Sequence, residues 1–167
     1  MSGKTIGKSF NNGFAGSYAR QPDMIIQTRP NDDTANIVFG RPVMNSGNGG
    51  VVNVTAAFTA AKFAGVAGKE IKSSLFYADQ NSGGAYMPNE PVSVFQRGSI
   101  SVICKVGTPA VGAPVYVRTV AATGMNIGDF EAVADAGNNV LIPNAQWGGE
   151  VDANGVAELV LLTRANA

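Results

Sequence analysis

The sequence predicts an all-β protein, one domain of jelly-roll or β-sandwich type preceded by an extended N-terminal arm. Three observations predict it. Residues 99–106 alternate, with Ile100, Val102, Cys104 and Val106 on one side and Ser99, Ser101 and Lys105 on the other, the pattern of a half-buried strand. Gly (21 of 167 residues) and Pro (8) recur at short intervals and cut the chain into strand-length pieces. No amphipathic stretches of roughly 10–15 residues alternate with those pieces, which argues against a parallel α/β sheet.

Residues 1–22 are polar and Gly-rich, with Phe10, Phe14 and Tyr18 spaced four apart. That spacing suits a helical stripe. Gly3, Gly7, Gly13 and Gly16 oppose it, each weakening a helix by about 1 kcal/mol. The segment is therefore expected to be an extended arm that docks on something, leaving residues 23–167 as the body. Strands are expected at 24–28 and 36–40, the second broken by Pro42 and a loop at 45–50, and again at 51–55. The Ala-rich stretch 56–68 could contain a short helix, but Gly65 and Gly68 interrupt it. Further strands are expected at 70–77, 92–96 and 99–106, the last two separated by a single Gly. A Gly/Pro-rich turn leads to 114–119, followed by 130–133, 139–142 and 146–151. The closing strand, 156–163, is reached through Asn154-Gly155, the dipeptide of a type I′ hairpin turn. These are about eight to eleven short strands, the count of a sandwich, jelly roll or barrel.

Composition bounds the partners. Charged residues are 14% of the chain, against about 25% in a typical domain. Such a surface repels other proteins weakly, which suits packing in an assembly. Twelve Lys and Arg balance twelve Asp and Glu, so no net positive charge is available to neutralise phosphates, and nucleic acid is not expected as a direct partner. No apolar run approaches the roughly 18 residues of a membrane helix. The start, MSGKTIGKSFNNG, has no apolar core like that of a signal peptide. The protein is expected in a cytoplasm or in what that cytoplasm assembles. Cys104 is the only cysteine and is expected to be a small buried hydrophobe.

Little here resembles a catalyst. The chain has no histidine, which removes Ser-His-Asp and Cys-His systems and most transition-metal sites. Gly7-Lys8-Ser9 and Gly3-Lys4-Thr5 lack the earlier glycine of a phosphate-binding loop. Residues 47–52 start like a dinucleotide fingerprint but place Val52 where the third glycine belongs. Residues 152–155 are too short for a calcium loop. The carboxylates Asp32, Asp33, Glu131, Asp135, Glu150 and Asp152 all lie in or beside expected turns, as solvated residues do. No cofactor, metal or catalytic residue is expected. Trp147, the sole tryptophan, is either a core or interface anchor or a surface on which a sugar stacks.

Several segments, in order and spread over nearly the whole chain, carry a family resemblance: SYARQPDMIIQTRP, PNEPVSVFQRGSISV, GAPVYVR, GDFEA and WGGEVDANGVAELVLLTRANA. They resemble the structural cement, or capsid decoration, proteins of tailed bacteriophages. The resemblance implies a non-enzymatic, jelly-roll-like all-β protein of the virion, on the outside of the head. It implies bridging of neighbouring major capsid protein subunits, and self-association as a dimer or else a trimer. It supplies no motif for the contacts. On chemistry alone the expected capsid or subunit contacts are Phe10, Phe14, Tyr18, Arg20, Arg29 and Trp147. The alternative reading is a phage tail-associated sugar- or receptor-binding β-module.

Overall fold

The structure, a computed structural model, describes residues 12–69 and 84–163. The strand expected at 70–77 and the aromatic Phe10 lie outside them. Among the described residues there are eleven strands, one 3-10 turn (Ala60–Lys62) and no α-helix. The strands are β1 (Tyr18–Pro30), β2 (Ile37–Val38), β3 (Pro42–Asn45), β4 (Val51–Asn53), β5 (Phe63–Ala67), β6 (Ala85–Tyr86), β7 (Pro91–Val106), β8 (Pro114–Arg118), β9 (Phe130–Glu131), β10 (Asn139–Trp147) and β11 (Val156–Leu161).

The fold is organised around β7, a strand of 16 residues. Its C-terminal half belongs to a closed ring of five strands in the order β7-β9-β8-β10-β11, with β11 returning to β7. The β7–β9 pair is parallel and the other pairs are antiparallel. The body is thus a small mixed barrel with additional strands, in place of the jelly roll or sandwich expected from the sequence. The physical reason is β9. Only two residues long, it inserts between β7 and β8 and closes the sheet on itself, which removes the edges that two facing sheets would leave. The N-terminal half of β7 carries the extension: β1 on one edge, then β5, β3 and β4. A second, two-stranded sheet pairs β2 with β6.

Gly98 lets one strand serve both parts. Below it Val92 and Val94 face the smaller core, with Ile37, Phe39, Val43 and Tyr86. Above it Ile100, Val102 and Cys104 face the barrel core, with Val117, Ile142, Trp147 and Leu159. Phe95 also faces the barrel core, so the parity of the alternation changes across Gly98. The strand pairs β1 through an irregular register: Arg20 lies opposite Ser99 and Ile25 opposite Arg97. The extra β1 residues bulge toward Gly98, where a Cβ would lie 2.1 Å from the Asp23 carbonyl oxygen. Its φ of 102° is also one that L side chains rarely adopt.

Other departures from the sequence reading have local causes. β3 begins at Pro42, and a proline at the first position of a strand forfeits no ladder bond there. β5 is buried at every position, so it shows no polar alternation, and the only helical turn in the Ala-rich stretch 56–68 is the 3-10 turn before it. β10 runs unbroken past Pro143 because the register against β8 slips between Ile142 and Gln146. The β10–β11 hairpin forms as expected, with Trp147 opposite Leu159, but its turn is not type I′. Gly155 alone has positive φ (76°) while Asn154 does not. Gly155 N–H donates to Asp152 O and Asp152 N–H to Val156 O, which is a type I turn closed by a glycine bulge. The Asp152 carboxylate accepts from the Asn154 and Val156 N–H groups and holds the turn.

Candidate functional site

The residues expected to make contacts fall into distinct settings. Tyr18 opens β1 and stacks on Phe95, with ring centroids 5.6 Å apart and planes 20° from parallel. It packs against the barrel core. Arg20 donates from Nε and Nη2 to the two carboxylate oxygens of Glu158 on β11, at 2.6 and 3.0 Å. That pairing holds the Glu158 carboxyl below the usual carboxylate range, against the opposing effect of its burial. Arg29 donates to Gln27 Oε1, Asn45 Oδ1 and Gly49 O, joining β1 to the β3–β4 hairpin. Trp147 is fully buried in the barrel core, and its Nε1 has no hydrogen-bond partner among the described residues. A ring enclosed on all sides offers no face to a sugar or to a partner.

Phe14 differs from these. It is 54% exposed, with Lys69 Nζ 4.3 Å from its ring centroid. The chain around it is bound to the body rather than projecting from it. Gly16 N–H donates to Ser101 O and Ser101 N–H to Ser17 O, while Ser101 Oγ–H donates to Asn12 O. Asn12 donates to Asp152 Oδ2 and Val156 O. The segment from Asn12 onward, within the stretch read from the sequence as an arm, therefore continues directly into β1 and crosses position 22 without a break. It also covers Ser99 and Ser101, which are buried although their parity points outward.

Beside this segment lies a groove of about 390 Å³. Ala15, Val38 and Ile103 form its apolar rim, and Phe39 and Phe130 close its floor. Val38 is 40% and Ile103 50% exposed. Arg41 is held in the wall by the Asp129 carboxylate and by Ile127 O, at 2.8 Å from the latter. Lys105 stands at the edge and forms no ion pair among the described residues. Sequence reasoning passed over Ile103. Its signal was present: an apolar β-branched residue in outward parity between Ser101 and Lys105.

Glu131 and Asp135 are held in structural ion pairs with Arg118, and Glu131 is not the solvated turn residue expected from the sequence. Glu131, fully buried, takes two hydrogen bonds from Arg118 and one from Asn139 Nδ2. Asp135 accepts from Arg118 at 2.9 Å and from Asn138, which together place its carboxyl below the ordinary range. With their oxygens committed, neither is arranged as an acid or base for a bound substrate. The Cys104 thiol is pushed up to about 11, chiefly by burial, which keeps it in the unreactive protonated form.

A family profile described as "Structural cement protein (E217 gp24/Pam3 gp6)" matches residues 3–162. Among solved structures, a chain of the capsid of Myoviridae phage XM1 superposes with a TM-score of 0.71 at 16% identity, over 99% of this chain and 97% of that one. Identity that low speaks to the fold alone. No curated protein sequence matches the chain.

Proposed function

The chain belongs to the structural cement protein family, and from that premise we propose that it binds the outside of the phage head as a small oligomer and bridges neighbouring major capsid protein subunits. It is a component of the virion capsid, in a family whose work is structural and not enzymatic. The observation that carries this is the reach of the family match, which takes in the barrel, the extension and the segment before β1. A cement protein has to resist being pulled apart while many copies hold a shell. The long β7, shared between barrel and extension, ties the two parts with one continuous backbone. Each copy needs only a standard interface of roughly 1,600 Å². The lattice multiplies that through effective concentration.

Contact with the capsid is assigned here to the N-terminal segment through Phe10 and Phe14, while Tyr18, Arg20 and Arg29 hold β1 in place. Self-association is as a dimer, with a trimer as the other symmetric solution. The sugar-binding alternative rested on Trp147, and its burial leaves that reading without support. The test is co-sedimentation of the purified protein with expanded heads that lack it, beside light scattering of the free protein. Saturable binding in a fixed ratio to the capsid protein is expected. Protein that stays in the supernatant at every concentration would sink the proposal.

A further inference from the structure

We propose that the groove rimmed by Ala15, Val38 and Ile103 seats an extended acidic–apolar segment of the capsid protein. This rests on the reading of the chain as a head-binding cement protein. Two exposed apolar side chains from separate sheets, Val38 of β2 and Ile103 of β7, converge on one cavity whose floor is aromatic. Its volume, about 390 Å³, lies at the small end of the roughly 300–1,000 Å³ of ligand clefts. Phe14, next in the chain to the rim residue Ala15, is itself exposed.

The charge around the groove gives the partner its chemistry. Arg41 is already matched by Asp129. Lys105 at the edge, and Lys69 over the Phe14 ring, form no ion pair among the described residues. Among the described residues, these two ammonium groups leave positive charge beside the groove that no ion pair balances. A segment with one or two carboxylates flanking an apolar side chain would satisfy both features. A second copy of this chain would not. An isologous contact centred on the groove sets the same patch against itself, so the lysines would face lysines.

The wall is built to hold its shape. Gly16 (φ 83°) and Gly40 (φ 75°) pass so closely that a Cβ on Gly40 would lie 2.6 Å from Ala15 Cβ. Hydrogen bonds of 2.7 Å run from Gly40 N–H to Ala67 O, from Gly16 N–H to Ser101 O, and from Lys69 N–H to Gly16 O. The groove is therefore formed before binding, which lowers the ordering cost of docking.

The test compares full-length wild type with Lys69→Glu/Lys105→Glu, Lys105→Glu alone, Lys69→Arg/Lys105→Arg and Ile103→Asp, on cement-free expanded heads. All substituted side chains reach solvent, and melting temperatures are measured to establish folding. The charge-reversed double variant is expected to bind at least about tenfold more weakly and to lose most of the salt dependence seen with wild type. The Arg variant should bind like wild type, and Ile103→Asp should bind more weakly at every salt concentration. If folded charge-reversal variants bind as wild type does, the proposal is wrong; the single Lys105→Glu decides the matter if the double fails to fold. If Ile103→Asp changes the oligomeric state and leaves head binding intact, the groove is a contact between copies and the proposal is likewise overturned. Failure of wild type itself to bind heads strikes the head-binding reading, and this inference falls with it.

Discussion

A Cβ at position 98 would overlap the Asp23 carbonyl oxygen, and the backbone there sits at a φ of 102°. Gly98→Ala therefore meets both a steric and a conformational obstacle. Strain of this kind costs about 1–3 kcal/mol before the bulge of β1 has to shift. A fall of about 3 kcal/mol, or roughly 6–12 °C in Tm, is expected by calorimetry. A Tm within 2 °C of wild type would mean that β1 does not approach Gly98 as described. Arg118 poses the complementary case. Its side chain is 3% exposed and that of Glu131 is fully buried. Arg118→Met leaves the Glu131 carboxylate buried without its cation, at a cost of about 3–5 kcal/mol. Arg118→Met/Glu131→Leu should lose less than the single change, because an apolar pair removes the uncompensated charge. Denaturant titration distinguishes the two outcomes, and a double variant less stable than the single would refute the account of this ion pair.

At the scale of elements, β1 decides what the N-terminal segment is for. Residues 12–22 are joined to β7, β11 and the Asp152 turn by backbone hydrogen bonds and by the Arg20–Glu158 pair. Deletion of residues 1–11 should leave the Tm within a few degrees of wild type and lower the occupancy of heads. Deletion of residues 1–22 should lower the Tm markedly, because it uncovers Ser101 and removes the Tyr18 ring from Phe95. If the longer deletion melts like wild type, these contacts contribute nothing to the fold. Much of the strand pattern was legible in the sequence: the alternation of 99–106, the strands near 24–28, 51–55 and 114–119, and the closing hairpin. The continuity of β7 was not, because a parity change at Gly98 makes one strand look like two. β5 escaped because burial on both faces erases alternation, while the strand expected at 130–133 is present as the two-residue β9. The ring closure is a property of long-range pairing, which period and turn chemistry do not encode. As to the site, the aromatics before β1 were visible. Ile103 was legible as an apolar residue in outward parity, but the convergence of Val38 with Ile103 depends on tertiary placement alone.

For the whole molecule, the titrating groups set a simple pH profile. The chain has no histidine, so no side chain with an ordinary pKa titrates between about pH 5 and 8. Among the described residues, four carboxyls are held below their usual range in the folded state. Asp135 is lowered by Asn138 and Arg118, and Glu158 by Arg20; in Asp33 and Asp152, backbone N–H donors outweigh an opposing burial. A lowered folded pKa means that the unfolded chain binds more protons in the interval between the two values. Stability is then fully present above about pH 4–5 and falls as pH drops through the folded values. The Cys104 thiol, raised to about 11, works in the other direction and erodes stability above about pH 8.5. Denaturation midpoints flat from pH 5 to 8 and falling below 4 are expected; a maximum near pH 4 would contradict these assignments. The central claim is that this protein strengthens the head by bridging capsid subunits from outside. It is tested most directly by the temperature at which DNA-filled particles release their DNA, read with an intercalating dye on particles with and without the protein. Release at a higher temperature is expected when the protein is bound, with return to the lower temperature for a variant that folds but does not bind. Release at the same temperature with sites fully occupied would contradict it.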